Sequence, residues 1–362
     1  MRKYLAAAAA AVVLLGAASP ALAAASPAPA AAKPPSPALQ QQLDRLTRQD
    51  GLAGALVSVR EPGGRVRTWT SGVAERGADR PMVGADAHFR IASVTKSVVA
   101  ATVVRLADQG EIDLDAQAEQ YAPGLLDGRP ITVRQLLTHT SGLPEYLPLI
   151  DPAHIGGDAG FLRLALDAEP TGEPGEKWAY SNTNYLVAGM LIQKVTGKDF
   201  RTVTRQGVLK NLRHTYWPRQ NELDIRGRHA HTYGVNPFDP KGHGKVVDTT
   251  LEPGYLFGAS GGLISTPDDL NRFWQSLPAS TIRTMLARTV PADDPPKADY
   301  GLGVYSYPFA CGPAWMHDGG LPGTRVLSGR DRSGRAVTLY VTGTPKDDAH
   351  IFEAFGTALC GR

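Results

Sequence analysis

From Ser93 to Gly110 the chain carries Val94, Val98, Val99, Ala101, Val103, Val104 and Leu106, which together cover nearly every side of a helix. Apart from Lys96, charge comes only near the far end, at Arg105 and Asp108. A helix that is apolar all round must be enclosed by other elements, so this one is expected to run through the core. The enclosing elements are legible at the two chain ends. Residues 38–50 repeat leucine at helical spacing and stop at Gly51, while Leu52 to Arg60 and Arg65 to Thr70 flank Glu-Pro-Gly-Gly as a β-hairpin. Toward the C-terminus, Pro313 to His317, Thr324 to Ser328 and Ala336 to Thr342 read as strands, with turns at Gly319 to Gly323 and at Asp331 to Gly334. A last helix is expected from about Asp347 to Leu359. The expected fold is α+β: an antiparallel sheet built from both chain ends and flanked by the terminal helices, with a mainly helical lobe, about 93–277, inserted between them.

A chain of 362 residues with 42% hydrophobic content is too long for one compact core, so two lobes sharing a cleft are expected. Arg2 and Lys3, an Ala/Val/Leu run, Pro20 and Ala21-Leu22-Ala23 give residues 1–23 the pattern of a signal peptide cleaved near Ala23. Residues 24–36 are rich in Ala, Pro and Ser and read as a flexible lead-in, leaving 37–362 as the folded domain. No later apolar run is long enough to span a bilayer, so a secreted, extracellular protein is expected. Removing Arg2 and Lys3 takes the formal charge from +3 to +1, and no basic cluster remains to track a phosphate backbone, which argues against nucleic acid as a partner. In an oxidising compartment the two cysteines, Cys311 and Cys360, read as one disulfide.

Ser93 and Lys96 lie at i and i+3, on one face of the buried helix, with their polar ends in reach of each other. Lys96 can act as a base toward the serine hydroxyl only if its pKa falls well below about 10.4, and a drop of about 3 units needs about 4 kcal/mol against the charged form. Burial and the positive end of the helix dipole both act in that direction. Taken alone, Ser-x-x-Lys occurs by chance about once in a chain of this length. Two further elements join it. Tyr180-Ser-Asn182 precedes a helical run at Tyr185 to Val195, where Tyr180 suits a proton relay and the Asn182 amide suits holding Lys96 and a substrate carbonyl. His317-Asp-Gly-Gly320 ends a strand, where glycines let a substrate backbone approach and the Gly320 N–H joins that of Ser93 as an oxyanion donor. Rivals are weaker. Ser260 in Gly258-Ala-Ser-Gly-Gly262 matches Gly-x-Ser-x-Gly but lacks an immediate strand-to-helix elbow, His154-Ile-Gly156 sits in a Pro/Gly loop, and His229, His231 and His243 have no carboxylate at ligand spacing.

In the order Ser-x-x-Lys, Tyr-x-Asn, His-x-Gly, the three elements resemble the serine β-lactamase and penicillin-binding superfamily, and in closer detail its secreted D-alanyl-D-alanine carboxypeptidases. Leu136-Leu-Thr-His-Thr-Ser-Gly-Leu143, Gly261-Gly-Leu-Ile-Ser-Thr-Pro-Asp-Asp-Leu270, Tyr300-Gly-Leu-Gly303 and the Cys311/Cys360 pair fit the same group. The resemblance implies that Ser93 is acylated, Lys96 and Tyr180 share the proton, Asn182 orients substrate, His317 replaces the more common lysine, and no metal or organic cofactor is needed. It implies a small peptide or β-lactam-like substrate, with peptidoglycan as a partner. The chain departs from the carboxypeptidase pattern where that group grips a free carboxylate. There it has Asp318, Gly320 and Tyr305, beside Gly319, with Arg325 as a substitute cation. Three readings follow: a peptidase of D-alanyl-D-alanine type that β-lactams acylate, an esterase or D-aminopeptidase on the same fold, and a non-catalytic wall-binding homologue.

Overall fold

The computed structural model describes residues 36–150, 156–235, 244–293 and 298–361. The signal-peptide and lead-in segments up to residue 35, His154 and His243 lie outside them. Twelve strands are present: β1 (Gly54–Arg60), β2 (Val66–Gly72), β3 (Phe89–Arg90), β4 (Tyr233–Val235), β5 (Val246–Asp248), β6 (Ile264–Ser265), β7 (Val290–Pro291), β8 (Asp299–Tyr300), β9 (Tyr305–Phe309), β10 (Gly312–Leu321), β11 (Thr324–Arg330) and β12 (Ala336–Val341) among the described residues. Eight form one antiparallel sheet in the order β2-β1-β12-β11-β10-β9-β8-β7, so the N-terminal hairpin closes against the C-terminal strand, Ala55 opposite Val341. The α+β architecture drawn from the two chain ends is the one observed.

One face of this sheet carries α1 (Pro37–Arg48) and the last helix. Leu39, Leu43 and Leu46 of α1 pack with Val57, Leu339, Ile351 and Phe355 in one apolar cluster. Ser36 caps α1 by accepting the Leu39 N–H. The other face is covered by the inserted lobe. Its helices are α2 (Thr95–Asp108), α3 (Val133–Leu137), α4 (Asp158–Asp167), α5 (Asn182–Thr196), α6 (Phe200–Gln206), α7 (Gly258–Gly261) and α8 (Pro267–Ser276); α9 (Ala279–Leu286) and α10 (Ala349–Cys360) follow. Helix α8 docks directly on the strands: the Asn271 amide donates to Ser58 O and accepts from Thr338, and Trp274 Nε1 donates to Ser328.

Helix α2 is buried from Thr95 to Val104, as its sequence requires. It opens with a 3₁₀ turn, Ala92–Val94, led in by the short pair β3–β6. The Tyr300-Gly-Leu-Gly303 phrase locks onto α2. Ser97 Oγ donates to Gly303 O at 2.6 Å, and a Cβ on Gly303, at φ 67°, would lie 2.5 Å from the Ala100 methyl.

Two expectations need correction. The turn expected at Gly319 to Gly323 is only Pro322-Gly323, because β10 runs on to Leu321 in register with β11 (Gly319 opposite Val326, Leu321 opposite Thr324). Gly319 serves close approach to the Ile91 carbonyl rather than chain reversal. The sheet also extends through β7 to β9, whose two- and five-residue strands are too short to show an alternating pattern.

Cys311 and Cys360 form the disulfide, with Cα atoms 5.5 Å apart, tying the β9–β10 turn to the end of α10. Among the described residues no helix is long and apolar enough to cross a membrane. Closing a loop of 49 residues contributes about 4 kcal/mol by chain entropy. The double variant Cys311→Ser/Cys360→Ser is therefore expected to lose about that much in urea denaturation; an unchanged midpoint would show that α10 needs no tether.

Candidate active site

Ser93 sits on the 3₁₀ turn that joins β3 to α2, and the preceding Ala92 has φ 48°, a conformation rare for a residue with a side chain. This bend holds Ser93 half-buried at the mouth of the lobe, with the rest of α2 beneath it. One turn on, Lys96 is 0% exposed and Nζ reaches three oxygens: Ser93 Oγ at 2.9 Å, Asn182 Oδ1 at 2.6 Å and Ser260 O at 2.7 Å. Burial pushes its pKa down to about 7, against the pull of the Glu145 and Asp318 carboxylates in the other direction. A neutral amine has two N–H groups and one lone pair. With the Asn182 and Ser260 oxygens taking the two N–H groups, the lone pair is left for the Ser93 hydroxyl.

Tyr180 completes the group. Its ring lies 4.8 Å from Lys96 Nζ, stacks on His139 at 4.3 Å, and its hydroxyl has Ser93 as a hydrogen-bond partner. Burial holds the phenol well above its usual pKa, so it is a neutral donor. Asn182 is the first residue of α5, whose cap is the Ser181 hydroxyl accepting the Thr183 N–H. The sequence-picked Ser93, Lys96, Tyr180 and Asn182 are thus brought within a single hydrogen-bonded cluster.

The third motif lines this cluster from the sheet side. Strand β9 pairs with β10 only as far as Met316, so one edge of β10 is open from His317 to Leu321. Gly319 lies against the nucleophile turn: a Cβ there would meet Ile91 O at 2.6 Å and Ser93 N at 3.2 Å. Gly320, next along the edge, is exposed. His317 is buried at 0% and both ring nitrogens are engaged, Nδ1 donating to Asp318 O at 2.6 Å and Nε2 accepting from Tyr300 Oη at 3.0 Å. Burial and the nearby Lys96 push its pKa down to about 3, so the imidazole is neutral and supports the Tyr180 and Tyr300 rings from behind.

Tyr305 does not reach the cleft. It is 3% exposed and packs edge-on to Tyr300 at 4.6 Å and to His317 at 5.1 Å, because β9 turns this position into the sheet. Arg325, opposite Gly320 on β11, has Nη1 3.5 Å from Asp318 and pairs with Asp348. Burial raises the Asp318 carboxyl while Arg325 and Lys96 pull it down. The rivals fall elsewhere. Ser260 is buried on α7 after a 3₁₀ turn, not a strand, and its hydroxyl donates to Phe257 O. His231 bonds Asp248 and His229 bonds Gly227 O, and no cluster of three metal-ligating side chains exists among the described residues.

Two residues escaped the sequence reading. His139, at φ 58°, accepts the Ser181 N–H at 3.2 Å and an Asn184 amide N–H at 3.1 Å through Nδ1 and supports the Tyr180 ring. Glu145 Oε2 accepts the Asn182 main-chain N–H at 2.7 Å and one amide N–H from its Nδ2 at 2.9 Å. The first lies within the Leu136 to Leu143 phrase and the second just beyond it, but no spacing rule links either to Tyr180 or Asn182.

A serine paired with a buried lysine of lowered pKa, beside an open antiparallel strand edge, defines a serine hydrolase of the β-lactamase fold. A family model described as Beta-lactamase matches residues 39–357, and the chain belongs to that family. It is 30% identical over 281 residues to Esterase EstB of Burkholderia gladioli, covering 67% of this chain and 70% of that one. It is 26% identical over 302 residues to penicillin-binding protein 4* of Bacillus subtilis, covering 76% of this chain and 65% of the other. Among solved structures it superposes on a D-stereospecific amidohydrolase from Streptomyces sp. with TM-score 0.77 and 30% identity, over 90% of this chain and 98% of that one. The D-amino acid amidase of Ochrobactrum anthropi SV3 gives TM-score 0.77 and 26% identity, over 89% and 97%.

The contact between Gly319 and the nucleophile turn gives a direct check. Gly319→Ala is expected to leave a folded protein whose kcat/KM on an activated ester falls about 100-fold, because Ile91 and Ser93 must shift to admit the methyl. Wild-type turnover in that variant would show that the turn has slack.

Proposed function

We propose that the protein is an exported hydrolase that cleaves amides or esters of D-amino acids through an acyl-enzyme on Ser93, with leaving groups that carry no free carboxylate. Lys96 takes the Ser93 proton as Oγ bonds to the substrate carbonyl carbon, and the Ser93 and Gly320 N–H groups receive the oxyanion. The bond to the leaving nitrogen or oxygen then breaks as the proton passes to it by way of Lys96 and Tyr180. Water repeats the sequence on the ester, its proton returning to Ser93 and its hydroxyl leaving with the acid.

The observation that carries the substrate class is the charge along the open edge of β10. Asp318 stands beside it, Arg325 is engaged by Asp318 and Asp348, and residues 300–309 hold no cation, so a terminal carboxylate meets net negative charge. The likeness to an esterase and to D-specific amidohydrolases supports the same reading. Export rests on residues 1–23 alone. The carboxypeptidase reading keeps support from the penicillin-binding relative.

Steady-state rates on D-phenylalanine amide, its methyl ester and a peptide ending in D-alanyl-D-alanine separate the two. Amide and ester are expected to exceed the peptide in kcat/KM by at least about tenfold, with Asp318→Thr narrowing the gap and Ser93→Ala abolishing all three. A peptide cleaved as well as the amide would restore the carboxypeptidase.

A further inference from the structure

Lys96 can offer its lone pair to Ser93 only while Asn182 presents an oxygen to it. An asparagine amide has two ends of nearly the same shape, one donor and one acceptor, so something must decide which end faces Lys96. Glu145 is the group on its other side. Pro144 O accepts the Ser181 and Thr183 hydroxyls at 3.0 and 2.5 Å, which fastens this segment to the start of α5. Glu145 Oε1 accepts the Leu147 N–H at 2.9 Å, leaving Oε2 for the main-chain and side-chain N–H groups of Asn182. An ionised carboxylate accepts and never donates. Facing it, the amide must turn its NH₂ to Glu145 and its Oδ1 to Lys96.

We propose that Glu145 is a positioning residue of this centre: it fixes the polarity of the Asn182 amide and thereby the direction in which the Ser93 proton moves. With the amide reversed, its NH₂ competes with Ser93 for the lysine lone pair, and the hydroxyl loses its base. The same arrangement gives one Asn182 Nδ2 hydrogen to Glu145 and leaves the second for a substrate carbonyl. The charged and titratable groups facing Lys96 are Glu145 and Asp318, which raise its pKa, together with the neutral His139 and His317 and the phenols Tyr180 and Tyr185. Removing the Glu145 charge therefore moves the acid limb of the rate profile to lower pH while the plateau falls.

The inference rests on the Ser93 acyl-enzyme reading, and the experiment keeps the two apart. Acylation rates with an activated ester that carries no carboxylate are followed by intact mass for wild type, Ser93→Ala, Glu145→Gln, Asn182→Asp and the exchanged pair Glu145→Gln/Asn182→Asp. Melting curves check that each variant folds. Glu145→Gln is expected to acylate about 10- to 100-fold more slowly, with its acid limb displaced downward. In the exchanged pair a donor again faces an acceptor at 182, so it is expected to acylate at least about tenfold faster than Asn182→Asp. Should Glu145→Gln match wild type in rate and profile, or the exchanged pair be no faster than Asn182→Asp, the inference is overturned. Labelling that survives Ser93→Ala would instead overturn the acyl-enzyme reading.

Discussion

The structure turns on one enclosed amine. Lys96 emerges in the first turn of a helix walled by apolar side chains, where an ammonium ion is strongly disfavoured. Its displacement from 10.5 to about 7 corresponds to about 5 kcal/mol, and the buried valines 98, 99, 103 and 104 on the same helix, each contributing about 1.5–3 kcal/mol, are enough to offset it. The lobe that encloses α2 is thus the same structure that makes Lys96 basic toward Ser93 rather than toward water. Carbonyl and amide oxygens on two other elements, α7 and α5, then fix which way the lone pair points.

The sheet contributes the other half of the centre. Eight antiparallel strands place β10 with its edge unpaired beyond Met316, and Gly319 lets that edge lie against the nucleophile turn. His317 sustains this junction as a neutral, doubly hydrogen-bonded ring. The consequence is electrostatic as well as structural. A cation at that position would repel a protonated Lys96, whereas the imidazole leaves the Glu145 and Asp318 carboxylates as the charges that tune it.

Much of this was legible in the sequence. The α+β plan followed from alternating strands at both ends and helical spacing between them, because those periods report which faces must be covered. Ser93 and Lys96 stood out because a lysine in an all-apolar helix has no structural reason to be there. Tyr305 was misplaced, since strands as short as β8 and β9 carry no pattern from which facing can be read. Glu145 and His139 were missed for a different reason: their roles depend on loop geometry, a left-handed backbone at His139 and the cross-link from Pro144 to α5, that no local spacing encodes.

The claim beneath all of this is that Lys96 is substantially neutral at physiological pH. Nuclear magnetic resonance titration of protein carrying ¹⁵N-labelled lysine, with the Lys96 signal assigned by its loss in Lys96→Met, reads that protonation directly. The account predicts a midpoint near 7. A Lys96 midpoint above about 10, the range of a solvated lysine, would contradict it.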